Sequence, residues 1–177
     1  MRFAQLISDP VQRNLYLYWL QRAGTRAMPA RADLDPIEMP KPALKDMGLI
    51  AVVDGGGDFR YRLVGTHNVN RMGLDITGRL ASEVYQGQYR DFLLAIYREV
   101  LVRRSCILSV GEFTIAGPSN LSTTRLLMPL SADGTTVGMI LYHNSSSISA
   151  PHALDPGASR VPSRGIEKVR YIRSDYL

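Results

Sequence analysis

The chain has 177 residues, 45% of them apolar and 21% charged; this is enough for one domain with a modest appendage, and it buries a core without metals or disulfides, so global disorder is excluded. The formal charge of +5 is spread out: even in the most basic region, the tail, Arg160, Arg164, Lys168, Arg170 and Arg173 are diluted by Asp155, Glu167 and Asp175, so nucleic acid is not an expected partner. No segment approaches the roughly 20 apolar residues of a membrane span, and residues 1–10 hold no apolar run of signal-peptide length.

The first element begins at Asp9-Pro10, where an Asp N-cap, a Pro at the first helical position and Gln12 at the third form a capping-box start, and Gly24 supplies the stop. Between them Val11, Leu15, Tyr18, Trp19 and Arg22 recur at helical spacing, which predicts an amphipathic helix over about 9–24 with an aromatic face. Leu15, Tyr18 and Trp19 are too apolar to stay exposed, so they are expected to pack on the sheet or on a second copy, and a homodimer through them is the expectation. Residues 28–42 carry Pro29, Pro36, Pro40 and Pro42 and read as an irregular surface connection.

Gly48 to Asp54 and Phe59 to Gly65 read as two strands joined by Asp54-Gly55-Gly56-Gly57-Asp58, a β-hairpin whose second strand alternates Phe59, Tyr61 and Leu63 against Arg60, Arg62 and Val64. The glycines are followed by a strand rather than a helix, which argues against a phosphate-binding loop. Thr66 to Gln88 is polar and glycine-punctuated, with room for one or two short helices. Gln88 to Arg104 is the strongest helix, with Tyr89, Phe92, Leu93, Ile96 and Val100 on one face and a Glu99–Arg103 pair. Three apolar segments follow, Ser105 to Ile115, Leu121 to Leu130 and Thr135 to His143, separated by turn-forming stretches at Ala116 to Asn120 and Ser131 to Gly134; they predict an antiparallel meander. Cys106, the single cysteine, lies in the apolar run Cys106-Ile107-Leu108 and reads as a buried structural thiol in a reduced, cytoplasmic setting.

The order helix, β, β, short helices, long helix, β, β, β gives an α+β domain with a five-stranded antiparallel sheet and helices on one face, preceded by the amphipathic helix. In that order, the residues Tyr18-Trp19, Gly56-Gly57-Asp58-Phe59-Arg60-Tyr61-Arg62-Leu63-Val64-Gly65-Thr66, Asp75-Ile76-Thr77-Gly78-Arg79, Tyr89-Arg90-Asp91-Phe92 and Arg125-Leu126-Leu127-Met128-Pro129-Leu130-Ser131 resemble a bacterial PAS-like family over roughly residues 10 to 143. The resemblance implies a stand-alone sensor-type domain, with a cavity between sheet and helices and no general catalytic activity. The domain is expected to span 1–144, leaving 145–177 as a tail, partly disordered or docking on a partner, and the output effector is expected on a separate chain.

Among the arginines in strands, Arg60 and Arg62 read as a charged outer face, while Arg125, beside Leu126 and Met128, is the candidate to hold an anionic ligand. Tyr61, Met72, Phe92, Ile96, Met128 and Met139 are the other expected ligand-binding residues, although core packing explains them equally. His67, His143 and His152 lack metal-site spacing; His67 or His143 would be the axial ligand of a haem. A flavin photosensor needs a reactive cysteine in the helical region, whereas Cys106 follows the long helix, so the cofactor stays unspecified. The expected function is sensing of a small molecule or partner binding without catalysis. Two other readings stay open: a small enzyme in which Tyr61, His67, Asp91 or His143 converge, and a ligand-free interaction module.

Overall fold

The computed structural model describes residues 2–114, 120–149 and 164–173, the last stretch by its backbone path. Helix α1 (Arg2–Leu6) leads into α2 (Pro10–Ala23), which starts as expected: the Asp9 carboxylate accepts from the amides of Val11 at 2.8 Å and Gln12 at 3.2 Å, and Gly24 ends the helix at φ 60°. Gln12 does not close a capping box. Its side-chain amide is buried and donates instead to the carbonyls of Thr124 at 2.8 Å and His143 at 3.2 Å, pinning the first turn of α2 to the sheet.

Strands β1 (Met47–Val53) and β2 (Asp58–Val64) form the expected hairpin. Its turn needs left-handed backbone at three successive residues, Asp54, Gly55 and Gly56, and the Arg98 guanidinium closes it by donating to the carbonyls of Gly56 and Gly57. Helices α3 (Thr66–Met72) and α4 (Ala81–Val84) fill the Thr66 to Gln88 stretch, and α5 (Gly87–Arg103) carries the long apolar face. Then β3 (Ile107–Thr114), β4 (Asn120–Leu130) and β5 (Met139–Ser149) make the antiparallel meander; the expected turn over 116–120 falls mostly outside the described residues. The five strands form one antiparallel sheet in the order β2-β1-β5-β4-β3, and β6 (Arg164–Arg173) is added beside β3.

Two details depart from the sequence reading. Strand β5 continues five residues beyond Asn144 to Ser149, and residues 164–173 pair with β3, which would otherwise present an open edge; residues 150–163 and 174–177 lie outside the described residues. The alternation of β2 also breaks. Register passes from Leu49 opposite Leu63 to Ile50 opposite Tyr61, so Arg62 is an extra residue, and this bulge turns Leu63 away from the face that holds Phe59 and Tyr61.

The sheet is covered on both faces. Neighbouring residues of β5 point to opposite sides: Tyr142 meets Tyr61, Tyr85 and Tyr97 beneath α3, α4 and α5, while Leu141 lines an apolar space with Leu34, Met39 and Leu44 of the proline-rich connection. Trp19 of α2 donates through Nε1 to the Pro129 carbonyl at 3.0 Å and stacks with Tyr16 at 6.1 Å. Leu15, Tyr18 and Trp19 are therefore buried in this chain's own core, and the exposed apolar residues of α2 are Leu17 and Leu20.

One tight approach within the sheet is at Gly48, where a methyl group would stand 2.4 Å from the Leu63 carbonyl oxygen and from the Tyr142 ring. Gly48→Ala is expected to lower unfolding stability by about 2–3 kcal/mol, measured by chemical denaturation. An unchanged midpoint would contradict this packing of β1 between β2 and β5.

Candidate functional site

The face of the sheet under α5 carries the chemistry. Arg125 occupies the middle of β4, Tyr61 the middle of β2 and Tyr142 the middle of β5, all pointing to this side; α5 contributes Tyr89 and Tyr97 two helical turns apart, and Tyr85 precedes it. Arg125, Tyr61, Tyr85, Tyr97 and Tyr142 line a cavity of ≈ 20 Å³, whose wall is completed by Asn68, Met72, Ile76 and Asn144, and Tyr89 joins the group as a hydrogen-bond partner of Arg125. That volume holds about one water molecule.

Arg125 is only 5% exposed. Its Nη2 donates to the Tyr89 hydroxyl at 2.9 Å and its Nε to Asn144 Oδ1 at 3.1 Å. Among the described residues no carboxylate lies within ion-pair distance of it, so a buried charge is held by neutral groups alone. Burial works against the guanidinium, but the tyrosines around it more than offset this, and its pKa lies above the ordinary arginine value. The tyrosines are paired in turn. Tyr61 and Tyr97 share a hydrogen bond at 3.0 Å, Tyr85 reaches the Met72 sulfur at 3.9 Å, and Tyr61 meets the Tyr85 and Tyr142 rings edge-on at 6.3 and 6.2 Å. Burial raises the pKa of Tyr61, Tyr85, Tyr97 and Tyr142, so the cage consists of neutral phenols around one cation.

Of the expected ligand-binding residues, the structure brings Tyr61, Met72 and Arg125 to this cavity. Ile96 is buried on α5 and Phe92 packs on Tyr89 at 6.3 Å; neither lines the space. Met128 and Met139 pair with Leu141 and Leu130 and alternate onto the opposite face, each standing three positions along its strand from Arg125 or Tyr142. Asn68, Ile76, Tyr85, Tyr97, Tyr142 and Asn144 complete the cavity without having been expected there. The recurrence of tyrosine at 85, 89 and 97 was the available signal. Arg60 donates to the Gly78 carbonyl at 2.7 Å and Arg62 is exposed, as a charged outer position requires.

Tyr61, His67, Asp91 and His143 do not all converge: His67 and His143 line one cavity and Tyr61 lines another. Asp91 is exposed and pairs with Arg90, His67 pairs with Asp46 at 3.2 Å, and His143 alternates with Tyr142 onto the other side of β5. His152 lies outside the described residues. Among the described residues no group of three or more His, Cys, Asp or Glu side chains is arranged to hold a metal ion, and no helix is long and apolar enough to cross a membrane. Cys106 is buried, and burial raises its pKa well above the ordinary thiol value, which makes it a poor nucleophile.

A family model described as PAS domain matches residues 7–141. No curated protein matches the chain.

The neutral cage sets the alkaline limit of the fold. Phenols in the unfolded chain ionise near pH 10, whereas these four resist ionisation when folded, so their contribution to stability is complete below about pH 10 and is lost as pH rises toward the folded values. Denaturant stability is expected to decline steadily above about pH 10, with the tyrosinate absorbance of the cage developing as the chain unfolds. Full tyrosinate absorbance at undiminished stability would contradict the burial described.

Proposed function

Starting from the fact that the chain belongs to the PAS domain family, whose members are in general signal-sensing and regulatory modules, we propose that it binds a small molecule carrying a negative group, held by Arg125 within the tyrosine cage, and acts without catalysis. The observation that carries this reading is the buried Arg125 guanidinium, which has no carboxylate partner among the described residues. Desolvating a cation costs several kcal/mol unless it is compensated, and Tyr89 and Asn144 supply only neutral acceptors. A carboxylate or similar anion entering the cage would accept from Arg125 and from the tyrosine hydroxyls, which is the charge-assisted geometry that arginine suits best.

In the closed form the cage has room for about one water molecule. A larger ligand therefore needs the α3–α4 wall to move. Met72 is a flexible wall residue and Gly73 and Gly78 adopt left-handed backbone, while the backbone bonds of Tyr61 with Arg79 at 3.0 Å and of Gly78 with Tyr61 at 2.7 Å are what such a movement has to break. Displacement of this wall would carry the ligand state to the surface. The same small volume favours a second reading, an interaction module whose core needs no ligand.

Monocarboxylates of increasing size, formate, acetate, pyruvate and benzoate, separate the two. At least one is expected to raise the melting temperature of the protein in a saturable manner, and Arg125→Gln is expected to abolish the rise while remaining folded by circular dichroism. No rise with any of them, or an equal rise in the variant, would remove Arg125 as an anion site and leave the interaction module.

A further inference from the structure

A second cavity, of ≈ 330 Å³, opens where the start of α2, the start of α3 and the middle of β5 meet. This volume is at the lower end of the range used by small-molecule sites. Its titratable lining residues are Asp9, Lys45, Asp46, His67, Arg71 and His143. The two carboxylates already have contacts: Asp9 caps α2, and Asp46 pairs with His67, also a lining residue, at 3.2 Å. Arg71 is anchored by a hydrogen bond to Asn68 Oδ1.

His143 is the group that these contacts leave unexplained. It is 2% exposed, and neither Nδ1 nor Nε2 has a hydrogen-bond partner among the described residues. Burial lowers its pKa, so at neutral pH the ring carries one N–H donor and one bare nitrogen acceptor. Buried polar groups of both kinds are rarely left without partners. The charges around it are also two-signed and equal in number, Asp9 and Asp46 against Lys45 and Arg71. A simple anion would face two carboxylates and a simple cation two basic groups, whereas a molecule carrying both charges answers all four.

We propose that this cavity binds a small zwitterion of the α-amino-acid class. The ammonium group is received by the Asp9 and Asp46 carboxylates and the carboxylate by Lys45 and Arg71, while one nitrogen of His143, brought to the cavity by a small turn of the ring, bonds one of these two ends. The site uses none of the residues that form the Arg125 cage, so it stands or falls separately from the anion reading of that cage.

The test is calorimetric titration of the full chain with each proteinogenic amino acid, to concentrations of about 10 mM. At least one is expected to bind saturably, and its N-acetyl and carboxamide derivatives, each lacking one charge, to bind at least about tenfold more weakly. His143→Phe replaces an unpartnered ring by an apolar one and is expected to keep the wild-type melting temperature while losing binding; Arg125→Gln is expected to keep binding. The proposal is overturned if no amino acid binds, if either capped derivative binds as tightly as its parent, or if His143→Phe, folded as wild type, binds undiminished.

Discussion

The guanidinium of Arg125 is the group around which the rest of this structure is arranged. Because it is buried in β4 with only Tyr89 and Asn144 as hydrogen-bond partners, it ties the long helix α5 and strand β5 to the centre of the sheet. A charge in that position obliges its surroundings to be polar yet dry, and tyrosine meets both demands: the rings supply apolar area and edge-to-face packing, the hydroxyls supply dipoles. Tyr61, Tyr85, Tyr97 and Tyr142 therefore follow from Arg125 as much as they surround it. An interior filled by aliphatic residues would cost less, so a retained cation points to function rather than to stability.

The two cavities are linked by hydrogen bonds. Arg125 donates to Asn144 Oδ1; Asn144 Nδ2 reaches Asn68 Oδ1 at 3.4 Å; and the same oxygen accepts from Arg71, which lines the second cavity. Asn68 also donates to the Asp46 carbonyl at 2.9 Å, so the start of α3 is fastened at the point where both spaces meet. On the other face of the sheet, Gln12 and Trp19 bind α2 to carbonyls of β4 and β5. Strand β5 is therefore joined directly to the N-terminal helix through Gln12, and Leu17 and Leu20 are the apolar residues that this helix presents outward.

Much of the fold was legible because it rests on local patterns. The Asp9-Pro10 start, the glycine hairpin, the 3.6-residue face of α5 and the turn residues between strands all have short-range causes, and the family resemblance rested on the same stretches. The site was legible only in its single charged residue: an arginine in an otherwise apolar strand stands out, whereas Tyr97 and Tyr142 look like any buried aromatic until the sheet brings them beside it. Met128 and Met139 were misplaced because their facing depends on strand register, and Leu63 because the bulge at Arg62 has no mark in the sequence. Leu15, Tyr18 and Trp19 belong to the chain's own core for a related reason: an apolar helix face announces that it must be covered, and only tertiary structure says by what.

Whether the Arg125 cage receives a small anionic molecule is read by native mass spectrometry of the protein as purified, set against its denatured mass. The expected result is an additional small mass on the wild-type protein that is lost on denaturation and absent from Arg125→Gln. A wild-type protein carrying no mass that Arg125→Gln lacks would overturn the anion reading of the cage.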